Sequence, residues 1–97
     1  MDTNKIINDL TTKFKFVDVE HKTSFKAFRK IKNGTLQECI IEIFDAGTNV
    51  DSELRYACEI RRIENGEVVA EATGNPGKSI DDTLSTIRWA DLDLDLD

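Results

Sequence analysis

The sequence predicts an α+β domain: an antiparallel sheet of four or five strands in meander order, with an N-terminal helix and a C-terminal helix. Three observations carry this. The segments Ile31-Lys32-Asn33-Gly34-Thr35-Leu36 and Ile63-Glu64-Asn65-Gly66-Glu67-Val68 both place Asn-Gly between apolar runs. Asn and Gly tolerate positive φ, which a tight antiparallel turn requires, so each segment marks a hairpin. Apolar residues at helical spacing occur near the two ends of the chain, outside the hairpins. At 97 residues the chain has the size of one domain, assigned to residues 1–90, with an acidic tail over 91–97.

The first helix is expected over residues 3–11. Asp2 or Thr3 can accept from its first free amides, and Ile6, Ile7 and Leu10 form one stripe that Phe14 would extend. Thr11-Thr12 is a poor place to continue, because β-branched side chains lose rotamers in a helix. Residues 13–20, Lys-Phe-Lys-Phe-Val-Asp-Val-Glu, alternate and read as a half-buried strand with Phe14 and Phe16 inward.

The two hairpins follow: 25–32 with 35–45, and 54–64 with 67–73. Residues 24–32 also fit a helix, with Phe25, Phe28 and Ile31 spaced by three. Glu64 would oppose Glu67 in a strict two-residue turn, so a three-residue loop with a glycine bulge stays open there. Gly74-Asn75-Pro76-Gly77 breaks the chain, and Ser79 opens the last helix, with Asp82 three residues on as a capping-box variant. Ile80, Leu84 and Ile87 make its stripe. Trp89 falls about 180° from Ile80, so the helix ends before Trp89 or Trp89 faces away from the core. The expected core is Ile6, Leu10, Phe14, Phe16, Ile41, Ile43, Ile60, Val69, Leu84 and Ile87.

Composition excludes several classes. Apolar runs stop at three residues, as in Cys39-Ile40-Ile41, so no membrane span is expected. Met1-Asp2-Thr3-Asn4-Lys5 has no apolar run behind it, so no signal peptide is expected. Two cysteines are too few for a disulfide scaffold, and a cytoplasmic location is expected. The net charge of −6 hides an asymmetry: residues 1–33 sum to +4 and residues 34–97 to −10. Such polarity can serve a charged partner, or it can be neutralised where strands of opposite sign lie side by side.

Catalytic chemistry finds little support. His21 is the single histidine, and with Cys39 and Cys58 it falls short of four zinc ligands. The two cysteines fall in strands, where they act as small apolar residues; a contact between them across neighbouring strands is one arrangement. No catalytic residue, metal or cofactor is expected. Ala72-Thr73-Gly74-Asn75-Pro76-Gly77-Lys78-Ser79 approaches a phosphate-binding loop, with Ala72 where the first glycine belongs. A phosphate-loop enzyme needs a parallel sheet and a later acidic strand, which this pattern lacks. Gly77, Lys78 and Ser79 remain as a candidate anion site. Phe14, Phe16, Phe25 and Phe28 lie among Lys13, Lys15, Lys26, Arg29 and Lys30, a combination that single-stranded nucleic acid binding uses.

The closing Asp91-Leu92-Asp93-Leu94-Asp95-Leu96-Asp97 has period two. With Trp89 it reads as an interaction strip, with Leu92, Leu94 and Leu96 as anchors. Its Leu-Asp-Leu core resembles the sliding-clamp-binding peptide of bacterial replication proteins, without the glutamine before it and the aromatic after it. By composition the chain also resembles small phage-encoded inhibitors of nucleases. The tail is expected to be ordered only against a partner.

The expected function is that of a small non-catalytic accessory protein of bacterial or phage origin, an inhibitor or adaptor. It would act through protein–protein contacts, as a homodimer through an edge strand or through Trp89 and the tail. Nucleic-acid binding by the basic strands, or small-ligand binding at residues 74–79, are the alternatives. No membrane partner is expected.

Overall fold

In the computed structural model, which describes residues 2–31 and 34–93, the α+β architecture is present. Helix α1 (Thr3–Thr12) precedes four strands: β1 (His21–Lys30), β2 (Leu36–Asp45), β3 (Tyr56–Glu64) and β4 (Glu67–Thr73). Helix α2 (Ile80–Ser85) and a 3-10 turn over Trp89–Leu92 follow. The strands form one antiparallel sheet in the order β1-β2-β3-β4. The radius of gyration is 15.7 Å, against about 13 Å for a compact chain of this length. Long strands, with α1 joined near one end of the sheet, account for the elongation.

Helix α1 starts where the sequence places it. Asp2 caps it, accepting from the Lys5 amide at 3.1 Å. The Thr11 and Thr12 hydroxyls fold back onto the Ile7 and Asn8 carbonyls at 2.8 Å each, and the helix stops there. Ile7 is the residue that becomes buried, and Ile6 stays exposed. The reason is the contact with the β2–β3 connection. Gly47 has φ +79°, and a Cβ on it would stand 3.2 Å from Ile7 Cδ1.

Residues 13–20 are not a strand. Their amides turn back to the helix: Phe14 N–H donates to Asp9 O (3.3 Å) and Phe16 N–H to Leu10 O (3.0 Å). Lys15 and Asp18 adopt φ of 62° and 52°, which breaks any extended run. Phe14 and Phe16, expected in the core, are therefore exposed.

Residues 24–32 form a strand up to Lys30, not a helix, because β2 pairs with β1 from His21↔Asp45 to Lys30↔Leu36. Lys32, expected to end the first strand of that hairpin, and Asn33, expected in its turn, lie outside the described residues. The second turn has two residues: Asn65 (φ 53°) and Gly66 (φ 81°), with Glu64 opposite Glu67. The irregularity lies deeper, where Arg62 faces Ala70 and Ile63 faces Val68, so Val69 is the extra residue. Gln37 Nε2 donates to Glu64 at 3.3 Å and offsets the opposed acids. Gly66→Val is expected to cost more than ~1 kcal/mol, because a β-branched residue resists positive φ. A Cβ at Gly66 meets nothing within 4 Å, so a melting curve would report backbone strain alone.

The core lies on one face of the sheet, under α2 and the Trp89–Leu92 turn. It comprises Cys39, Cys58, Ile60, Ala72, Ile87 and Leu92, with Ile41, Ile43, Ala70 and Leu84 partly buried against it. Val69, expected in the core, and Ile80, expected on the buried stripe of the last helix, are exposed. Ser79 caps α2, its Oγ accepting from the Asp82 amide at 3.0 Å. At six residues α2 cannot stand alone. Thr83, wholly buried, ties it to β3 by donating to Cys58 Sγ at 3.3 Å.

Asp45, at the end of β2, accepts from Arg55 through both carboxylate oxygens (2.8 and 3.2 Å) and from the Gly47 amide (2.8 Å). The Arg55 hydrogen bonds hold its carboxyl below the usual carboxylate value, with the Gly47 amide adding to the effect. A lowered folded-state value contributes stability above the unfolded value, and that contribution disappears as pH falls through the folded one. Asp45→Asn is expected to cost about 1 kcal/mol at neutral pH and to flatten the loss of stability below about pH 4. Acid titration of the melting temperature of both proteins checks it.

Candidate partner-binding surface

Two ion pairs join the basic part of the sequence to the acidic part. Lys22 of β1 meets Glu42 of β2 at 3.0 Å, and Arg29 of β1 pairs with Asp93. Glu42 also pairs with Arg61 and accepts from Ser24 Oγ at 3.1 Å. Its side chain is 5% exposed, covered by the groups that pair it.

Two edges bound the sheet, and they differ. β4 has seven residues and the bulge at Val69, and the Trp89–Leu92 turn packs beside it. β1 has ten residues, no proline and no irregularity in its pairing. Its backbone direction follows from two hydrogen bonds. Ile31 N–H donates to Thr35 O (3.0 Å) and Ala46 N–H to Arg55 O (2.9 Å). Backbone groups alternate along an antiparallel ladder. The odd-numbered residues of β1 therefore aim their N–H and C=O groups at β2. Lys22, Ser24, Lys26, Phe28 and Lys30 aim theirs outward.

Side chains alternate too. Lys22 and Ser24 reach Glu42 on the face away from the core, so Lys26, Phe28 and Lys30 share that face. Lys26 Nζ stands 5.8 Å from the Phe28 ring centroid. Arg29 and Phe25 lie on the core face. Phe25, Phe28 and Leu36 are all more than half exposed, Phe25 on the core face and Phe28 and Leu36 on the other.

The residues singled out for nucleic acid thus do not share one surface. Lys26 and Lys30 are on the bare face, and Arg29 is on the other, engaged with Asp93. Lys13 pairs with Asp9 at 3.5 Å, and Lys15 donates to Thr12 O at 3.0 Å. At residues 74–79 the turn uses its own amides. Gly74 N–H donates to Cys58 O (3.1 Å), Asn75 N–H to Thr86 Oγ1 (2.7 Å) and Gly77 N–H to Tyr56 O (2.8 Å). Gly77 and Ser79 serve the bridge to β3 and the helix cap, Asp81 and Asp82 occupy the first turn of α2, and Lys78 is exposed. An anion would meet acids where it needs amides.

Cys39 faces Arg62 and Cys58 faces Ile43, so they are four positions apart along the ladder and do not touch. Both are free thiols. Burial pushes the Cys39 thiol up, against the opposing pull of Arg29 and Arg62, so it is a poor nucleophile. His21 is exposed at the start of β1. Among the described residues no three His, Cys, Asp or Glu side chains gather as a metal site. No helix among them is long and apolar enough to cross a membrane. A cavity of about 120 Å³ lies between α1 and the start of β1, lined by Ile6, Ile7, Leu10 and Val19.

The tail departs from expectation where it is described. Leu92 is 0% exposed, and its carbonyl accepts from Arg62, itself wholly buried. It is a core residue and not an exposed anchor, so residues 91–93 belong to the domain. Trp89 is half exposed, and Leu94 and Leu96 lie outside the described residues. Lys22 and Ser24 also belong to the β1 edge, and the alternation Lys22-Ser24-Lys26-Phe28-Lys30 in the sequence is the signal for it.

Fold and surface together define a small helix–meander–helix protein in which one sheet edge is left open by the described residues. Compared with known protein families, with curated proteins and with solved structures, the chain matches none of them.

Proposed function

We propose that this chain is a non-catalytic protein-binding module, an adaptor or inhibitor of the cytoplasm, and that β1 with its exposed aromatics is the working surface. One observation carries the reading: a regular ten-residue edge strand with outward backbone groups and exposed Phe25 and Phe28. Such an edge is a template for another strand, and aromatic residues supply much of the energy of protein interfaces. Lys26 and Lys30 blunt the edge against indiscriminate pairing, as lysines on edge strands commonly do.

The test is affinity capture from an extract of the source cell with the wild type beside Phe25→Asp and Phe28→Asp. Both sites are exposed, so the variants are expected to melt within about 1 kcal/mol of the wild type. A protein retained by the wild type at 200 mM salt and lost by both variants supports the reading. Retention of nucleic acid, released between about 50 and 200 mM salt, overturns it in favour of phosphate contacts.

A further inference from the structure

The open edge of β1 carries different chemistry on its two faces. On the bare face Lys22 is engaged by Glu42, whereas Lys26 and Lys30 have no ion pair among the described residues. These two lysines are four positions apart, about 13 Å along the strand, with Phe28 between them. On the core face the same stretch presents Ala27 and the exposed Phe25.

A second copy of β1 fits this edge badly. A two-fold antiparallel pair centred on Lys26 sets Lys26 against Lys26 and Lys22 against Lys30. Centring it on Phe25 or Ala27 leaves the two Lys26 side chains diagonal, about 7–8 Å apart. Like charges at those separations oppose pairing. An acidic strand meets the opposite situation, because carboxylates placed across from Lys26 and Lys30 find two ammonium groups that have no ion pair among the described residues.

We infer that β1 binds, by antiparallel strand addition, an extended segment of a partner protein with the pattern acid-x-apolar-aliphatic-acid. Its acids face Lys30 and Lys26, its apolar residue faces Phe28, and its aliphatic residue lies opposite Ala27 beside Phe25. The outward N–H and C=O groups of Lys26, Phe28 and Lys30 supply the main-chain bonds. This rests on the protein-binding reading above and names the class of segment.

The experiment is amide hydrogen exchange of the full chain, with a short capped peptide centred on Asp-Thr-Leu-Val-Asp and a control centred on Lys-Thr-Leu-Val-Lys. The acidic peptide is expected to slow exchange at least tenfold at Lys26, Phe28 and Lys30, and to leave Ala27 and Arg29, already bonded to β2, unchanged. The double variant Lys26→Glu/Lys30→Glu is expected to bind the acidic peptide at least tenfold more weakly and to accept the basic one. Equal protection by both peptides on the wild type overturns the charge pattern and leaves the protein-binding reading standing. Protection by neither peptide overturns strand addition. If sedimentation shows a dimer in which these amides are protected without peptide, the occupant is a second copy and the inference falls. An oligonucleotide that binds through Lys26 and Lys30 without protecting amides also overturns it.

Discussion

Leu92→Ala is expected to cost about 2–5 kcal/mol and to lower the melting temperature by roughly 10–30 °C. Leu92 is wholly buried against β3 and β4, where Ala70 and Ala72 leave room for it. Alanine there removes buried methyl groups and leaves a void that the sheet cannot close. Truncation before Asp91 is expected to do more harm. It also removes the carbonyl that accepts from the buried Arg62 and the carboxylate that pairs with Arg29. Arg62 keeps Glu64 at 3.9 Å, but the loss of an acceptor from a wholly buried guanidinium is itself destabilising. For a domain whose total stability is about 5–15 kcal/mol, the truncated chain is expected to be largely unfolded at 37 °C. Circular dichroism melts of both variants check this; an unchanged melt would show that Leu92 does not complete the core. The alternating Asp and Leu pattern suggests the opposite outcome, a tail removable without loss, and burial of Leu92 is what reverses it.

Gly74→Ala is expected to be at least as damaging. A Cβ on Gly74 would stand 2.1 Å from the Thr83 carbonyl oxygen and 2.7 Å from Cys58 Sγ. The first of these is backbone, so α2 must move away from β3 to admit one methyl group. That movement breaks the contact between Thr83 and Cys58 that fixes the short helix. Overpacking of this kind costs about 1–3 kcal/mol where neighbours yield, and more where they are main chain. The expected result is a loss exceeding that of Gly66→Ala, whose added Cβ meets open space and adds only strain from its φ of +81°. Side-by-side denaturant titrations rank the two; equal losses would mean that α2 does not pack closely over Gly74.

The contrast between those glycines shows where local chemistry speaks and where it is silent. Asn65-Gly66 announces its turn because positive φ at two consecutive residues is a local demand. Gly74 looks like a simple chain break, since the oxygen it must clear belongs to a residue nine positions on. Ser79 is legible for the same reason as Gly66, since a cap and the amide it satisfies lie three residues apart. The strand reading of residues 13–20 fails because alternation shows only what a segment would do beside a neighbour. Here the amides of Phe14 and Phe16 are taken by the end of α1.

The candidate site divides along the same line. Alternation along β1 is written in Lys22, Ser24, Lys26, Phe28 and Lys30, and it predicts which side chains share a face. Whether β1 lies inside the sheet or at its rim depends on pairing between segments far apart in the chain, and so does the freedom of its outward backbone groups. The choice of Ile7 over Ile6 for burial is made by Gly47, forty residues away. Pairing of Arg29 with Asp93 separates the basic residues that composition groups together. Turns, caps and periodicity act over a few residues and can be read from the chain directly. Burial, edge position and ion-pair partners are set by surfaces that meet only when the sheet assembles.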